Sequence, residues 1–201
     1  MSDDNALKVV LLGEAGVGKT NLIRVSIGKE FEHNAASTLA STYCVSKVQI
    51  GNKSYKYYLW DTAGQESYRS LNKLFIKDSK IVLIVFAINA RESFNEVDFW
   101  YQNVKEQLGD DDYFVGLVGN KSDLYEEENV VKDEEIEKKA NELGVKFKVT
   151  SALTDSDGFK QFLNKLLEEY IHKYNIDGFR SSSFRIAPAQ KKNTKDGKKC
   201  C

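Results

Sequence analysis

The sequence predicts one α/β domain on a six-stranded, mostly parallel sheet with a single antiparallel edge strand and helices on both faces. Three observations predict it. Short apolar runs rich in branched residues alternate with amphipathic helical stripes, a Gly-Asn pair separates two strand-like runs, and a glycine-rich loop joins a strand to a helix.

The first apolar run, Leu7 to Leu12 (LKVVLL), is short enough to be a strand buried on both faces. It leads into GEAGVGKT, Gly13 to Thr20, and NLIRVSI then reads as a helix. Residues 43–50 and 53–60 flank Gly51-Asn52, a β-hairpin signal that supplies the antiparallel edge strand. Further strands are expected over residues 81–88, 114–118 and 145–149. Between them SFNEVDFWYQNVKEQL carries apolar residues in steps of three and four at Phe94, Val97, Trp100, Tyr101, Val104 and Leu108. GFKQFLNKLLEEYIHKY repeats that stripe from Phe159 to Ile171. Strand and helix alternating in this way imply parallel strands covered on both sides. The globular domain is expected over residues 7–174, preceded by a short extension (1–6) and followed by a flexible tail (175–201) that holds the only proline and shows no sustained period.

Composition restricts the partners. With 201 residues and 41% hydrophobic content the chain supports one well-buried domain, and a net charge of −1 gives no bulk attraction for nucleic acid. Cys44 lies in an alternating run, where a thiol behaves as a small hydrophobe, and the three cysteines have neither disulfide-framework nor zinc spacing. A reducing, intracellular setting fits this usage. The start MSDDNALKVV lacks the basic residues and long apolar stretch of a secretory signal, and no run approaches the ~18 apolar residues of a membrane span.

The chemistry begins at Gly13. GEAGVGKT fits G-x-x-x-x-G-K-[ST] in the strand–loop–helix setting that a phosphate-binding loop requires. Backbone N–H groups of Gly13, Glu14, Ala15, Gly16, Val17 and Gly18 can turn inward around phosphate oxygens, Lys19 neutralises their charge, and the helix that opens at Thr20 and Asn21 adds its dipole. The Thr20 hydroxyl can ligate Mg²⁺. The bland alternative is a glycine-rich turn.

This loop admits ATP or GTP, and NKSD points to guanine. Asn120, Lys121 and Asp123 follow an apolar strand, at the end where ligands of open α/β sheets bind. A carboxylate accepts two hydrogen bonds, matching the adjacent N1–H and amine of guanine, whereas adenine presents an acceptor at N1. Asp123 could equally be a helix cap or turn residue. WDTAGQE, residues 60–66, ends the second hairpin strand: Asp61 can hold Mg²⁺ through water, Gly64 lets a backbone N–H approach a γ-phosphate, and Gln65 can orient an attacking water.

With GEAGVGKT, WDTAGQE, NKSD and TSA (Thr150 to Ala152) in this order, the sequence resembles the Ras-superfamily small GTPases over residues 7–174. The resemblance implies a GTP/GDP switch with Mg²⁺ as cofactor, hydrolysing GTP slowly with Lys19 and Gln65 in the catalytic roles. It carries a guanine-stacking aromatic onto Phe31 and a γ-phosphate-sensing threonine, also a Mg²⁺ ligand, onto Thr38. Ser151, Ala152 and Leu153 would brace the base, although the family's usual SAK here reads SAL. Ala15 stands where Ras has glycine, and its methyl is expected to slow hydrolysis. Trp60 and the paired Cys200 and Cys201 look most like the Rab family, whose aromatic triad on the effector surface maps to Tyr43, Trp60 and Phe75; a Trp60 that merely closes the core is the alternative. LASTY after the switch threonine, with Ala40 in place of glycine, departs from Rabs, and FIKDS, residues 75–79, looks somewhat closer to Rho proteins. A Rho- or Ras-like signalling GTPase and a nucleotide-locked scaffold therefore stay open.

The Rab likeness implies an exchange factor, a GTPase-activating protein, a GDP-dissociation inhibitor, a prenyltransferase with its escort protein, and effectors in vesicle-mediated protein transport. It also implies a monomer lipid-anchored through Cys200 and Cys201 to the cytoplasmic face of an intracellular or plasma membrane. Two lipid chains anchor stably where one binds marginally. Lys191, Lys192, Lys195, Lys198 and Lys199 would add attraction to an anionic leaflet, or serve only as a solubilising tail.

Overall fold

A computed structural model of the chain describes residues 6–35, 38, 41–63, 74–126 and 130–176. Gly64, Gln65, Ala40, the tail lysines, Cys200 and Cys201 lie outside these residues. Six strands, β1 (Leu7–Leu12), β2 (Thr42–Ile50), β3 (Lys53–Asp61), β4 (Ile81–Ala87), β5 (Phe114–Asn120) and β6 (Lys146–Val149), form one sheet in the order β2-β3-β1-β4-β5-β6. All pairings are parallel except β2 with β3, as the alternating pattern predicts. That antiparallel pair closes at Ile50 opposite Lys53, with Gly51 at φ 56°, a conformation that suits glycine in a two-residue turn.

The helices are α1 (Lys19–Ser26), α2 (Arg91–Asn95), α3 (Val97–Leu108), α4 (Asp133–Leu143) and α5 (Ser156–Lys173). Alternate residues of β1 feed opposite layers. Val9 and Leu11 join Leu22 of α1 and Phe159, Leu163 and Leu167 of α5 in one core. Val10 and Leu12 join Trp100 and Val104 of α3 and Ile136 of α4 in the other. Every residue of β4 is buried, which explains why IVLIVFA is apolar without alternation.

Three differences from the sequence reading have physical causes. The stripe over residues 93–108 becomes two helices, because Glu96, at φ −81° and ψ −2°, interrupts the helical backbone for one residue. Strand β5 runs two residues past its expected end, carrying Asn120 into the sheet opposite Ala87. Helix α4 was not expected at all. It buries only Ile136 and Ala140, too narrow a stripe to stand out among its charges. Its start is nonetheless marked by acidic Asp133, Glu134 and Glu135 in the first turn, with Glu135 accepting the Lys132 N–H at 3.1 Å. Cys44 is half-buried against the first core, in keeping with its reading as a small hydrophobe.

Because the sheet is parallel from β3 to β6, the loops after β1, β3, β5 and β6 emerge on one edge. That edge carries the site.

Candidate functional site

Gly13 to Thr20 link β1 to α1, and two glycines fit by their lack of a side chain. A Cβ on Gly13 (φ 138°) would lie 2.0 Å from the Val85 carbonyl oxygen, and one on Gly18 (φ 94°) would lie 2.3 Å from Asn120 Nδ2. Lys19 is almost fully buried, and its Nζ donates to the carbonyls of Gly13 (2.8 Å) and Glu14 (2.9 Å). Burial lowers its pKa to about 8, outweighing the attraction of Asp61 and Glu14. A buried ammonium held this way calls for an anion beside it.

Three oxygen-bearing side chains meet nearby. Thr20 Oγ1 donates to Asp61 Oδ2 at 2.7 Å and lies 3.0 Å from Thr38 Oγ1, which is itself 3.5 Å from Asp61 Oδ2. Asp61 Oδ1 is buried with no hydrogen-bond partner among the described residues. Desolvation pushes the Asp61 carboxyl pKa up, against the opposing pull of Thr20, Lys19 and Thr38. An orphaned carboxylate oxygen beside two hydroxyls is a hard-oxygen set, and it fits a magnesium ion whose other ligands are phosphate and water. No group of three or more His, Cys, Asp or Glu suited to a metal occurs among the described residues, so an all-protein metal cage is not the alternative there.

The other end of the cleft is built by β5 and the loop after β6. Asp123 Oδ1 accepts the Ser151 hydroxyl proton, and Ser151 Oγ accepts N–H groups from Leu153 (3.0 Å) and Thr154 (3.1 Å). Asn120 donates from Nδ2 to the Val17 carbonyl at 2.8 Å and accepts the Ala152 N–H on Oδ1 at 3.1 Å. It thereby ties the phosphate loop to the opposite wall. The cleft between, about 290 Å³, is lined at this end by Phe31, Lys121, Asp123, Ala152 and Leu153 and at the other by Lys19, Thr20 and Thr38. Asn21 fixes the approach of Phe31 by exchanging two 3.0 Å hydrogen bonds with the Glu32 backbone. Leu153 remains 45% exposed at the rim.

On the outer face of the hairpin, Tyr43 and Trp60 pack with ring centroids 4.8 Å apart and Trp60 and Phe75 at 5.7 Å. Trp60 thus lies in contact with both of the other rings. Lys8 Nζ lies 5.3 Å from the Trp60 ring, and Tyr43 is 55% exposed.

Comparison with known proteins decides the family: residues 8–172 match the Ras family. The chain belongs to the Ras family of small GTPases. Among its curated relatives, Ras-related protein SEC4 of Saccharomyces cerevisiae is 32% identical over 179 residues, covering 88% of this chain and 82% of that protein. GTP-binding protein ypt2 of Schizosaccharomyces pombe is 30% identical over 200 residues, covering 100% and 98%. Ras-related protein Rab-21 of Homo sapiens is 34% identical over 172 residues, covering 86% and 75%. These relatives of the Ras-family chain are Rab-type proteins, and family membership implies guanine-nucleotide binding.

For this Ras-family site, the structure brings together Lys19, Thr20, Thr38 and Asp61 at one end and Phe31, Asn120, Asp123, Ser151 and Ala152 at the other. Val17 and Gly13 offer their carbonyls to Asn120 and Lys19. The sequence reading passed over one residue in this network. Trp100 of α3, assigned only to an apolar stripe, donates its indole N–H to the Glu14 carboxylate at 3.1 Å.

Proposed function

We propose that this protein is a Rab-like GTP/GDP switch that hydrolyses GTP slowly and recruits effectors to a membrane in vesicle traffic. One observation carries the reading: a single cleft presents a buried lysine and the Thr20, Thr38 and Asp61 oxygens at one end and the Asp123 carboxylate at the other. That span suits a guanine nucleotide, with its phosphates against the loop from Gly13 to Thr20 and its base against Asp123. Phe31 would stack on the base, while Lys121, Ala152 and Leu153 would line its pocket.

In the reaction, water attacks the γ-phosphorus in line. An oxygen–phosphorus bond forms, the bond to the β–γ bridging oxygen breaks, GDP takes the electron pair, and the water protons pass to phosphate and solvent. Lys19 and the loop amides stabilise negative charge on the bridging and γ-oxygens. Magnesium, when held by Thr20, Thr38 and, through water, Asp61, supplies further positive charge at the phosphates. Gln65 would orient the water, and Gly64 would offer its N–H to the γ-phosphate. No arginine is assigned to complete the site, so turnover of roughly 10⁻⁴ to 10⁻³ s⁻¹ is expected, raised about 10³- to 10⁵-fold by an activating protein.

Loss of the γ-phosphate would free Thr38, and effectors reading the Tyr43, Trp60 and Phe75 face would distinguish the two forms. Lipids on Cys200 and Cys201, helped by the tail lysines, would anchor the switch. An exchange factor, a GDP-dissociation inhibitor and a prenyltransferase with its escort protein complete the expected partner set. Likeness to Rab-type relatives supports the trafficking assignment.

Phosphate release from GTP-loaded protein, with retention of GTP compared against ATP after gel filtration, tests the proposal. Expected are guanine preference and slow release, at least tenfold slower still in Gln65→Ala. Preference for adenine would overturn the reading. Tight GTP retention with no release, even with an activating protein, would select the nucleotide-locked scaffold.

A further inference from the structure

Trp100 of helix α3 reaches the phosphate loop. Trp100 is 1% exposed and sits among Val10, Leu12, Phe86 and Val104, so its ring is fixed by the core. Its Nε1–H donates to Glu14 Oε1 at 3.1 Å, across 86 residues of sequence. Glu14 is the first variable position of the phosphate loop, and its own carbonyl accepts the Lys19 ammonium at 2.9 Å. A rigid indole thus holds a carboxylate whose backbone holds the phosphate-binding lysine.

We propose that Trp100 and Glu14 form a clasp that positions the phosphate loop and Lys19, so that α3 governs how fast nucleotide leaves. The proposal rests on the guanine-nucleotide reading above. Both are positioning residues: they act on nucleotide through the Glu14 carbonyl and Lys19. If the clasp loosens, the Glu14 carbonyl is free to rotate, Lys19 loses one of its two acceptors, and the amides after Glu14 lose their common orientation.

The test measures dissociation of a fluorescent GDP from the full-length protein in magnesium for the unaltered chain, Trp100→Phe and Glu14→Gln. Trp100→Phe keeps the aromatic packing and removes the donor. It is expected to release GDP about tenfold faster, the effect of losing one hydrogen bond to a charged group. Glu14→Gln keeps an acceptor and removes the charge. Its expected signature is a smaller, about threefold, acceleration of GDP release, because the indole then donates to a neutral oxygen. A fold-stability measurement accompanies each variant, and the indole ¹⁵N–¹H resonance of Trp100, resolved from that of Trp60, reports the hydrogen bond directly. Unchanged GDP release in both folded variants would overturn the clasp. If Trp100→Phe is unstable, GDP release by Glu14→Gln decides alone. Should the unaltered chain hold no guanine nucleotide, the functional reading falls first and the clasp with it.

Discussion

Asp123 is held by the Ser151 hydroxyl on one oxygen and faces the cleft, so its carboxylate is oriented before any base arrives. Asp123→Ala removes an acceptor for two guanine donors, and hydrogen bonds to a charged group are worth about 1.5–3 kcal/mol each. GDP affinity measured by calorimetry should fall by about 10² or more, with fold stability changed little. Lys19 offers a pH test. Its folded pKa of about 8 lies below that of an exposed lysine, roughly 10.4, so between these values the unfolded chain binds a proton that the folded chain has released. This group therefore adds stability to the nucleotide-free protein as pH rises from about 8 towards 10.5, on the order of 3 kcal/mol. Urea titrations across that window should show the gain, and Lys19→Met should abolish it. Bound phosphate, by favouring the ammonium, should flatten the same slope.

At the scale of elements, packing of β5 sets a sharp limit on side-chain size. A Cβ on Gly119 would come within 3.1 Å of the Phe86 ring and 3.3 Å of Ile88, and one on Gly116 within 3.0 Å of Leu166. Gly119→Val should cost about 1–3 kcal/mol by overpacking, read from a denaturant midpoint. By contrast, Glu135→Gln removes the charge that pairs with the solvent-exposed Arg91 and should leave the denaturant midpoint nearly unchanged. Helices α1 to α5 differ in how far residue order alone revealed them. The long stripe of α5 buries eight residues and was plain, whereas α4 buries two and was hidden among charges. Strands were legible wherever apolar runs were continuous, and the hairpin was given away by Gly51-Asn52. The motifs located both ends of the cleft because each is contiguous in the chain. Contacts between distant segments were not legible. Nothing near Trp100 or Glu14 announces a bond across 86 positions, and nothing near Asn120 announces that its amide reaches Val17.

At the scale of the whole molecule, no helix among the described residues is long and apolar enough to cross a membrane. The proposed function assigns membrane attachment to the cysteines Cys200 and Cys201. A tagged protein with both Cys200→Ser and Cys201→Ser should lose membrane sedimentation by at least tenfold while keeping its GDP, and unchanged sedimentation would refute lipid anchoring. Neutralising the five tail lysines should produce a smaller loss that grows with ionic strength, because surface attraction is screened over about a Debye length.

In the proposed function Asn120 bridges the two grips on the nucleotide, with hydrogen bonds to Val17 on one side and Ala152 on the other. Such a keystone makes the walls yield in concert. A catalyst of exchange that pries at the triphosphate side alone would also slacken the purine side, without ever touching it.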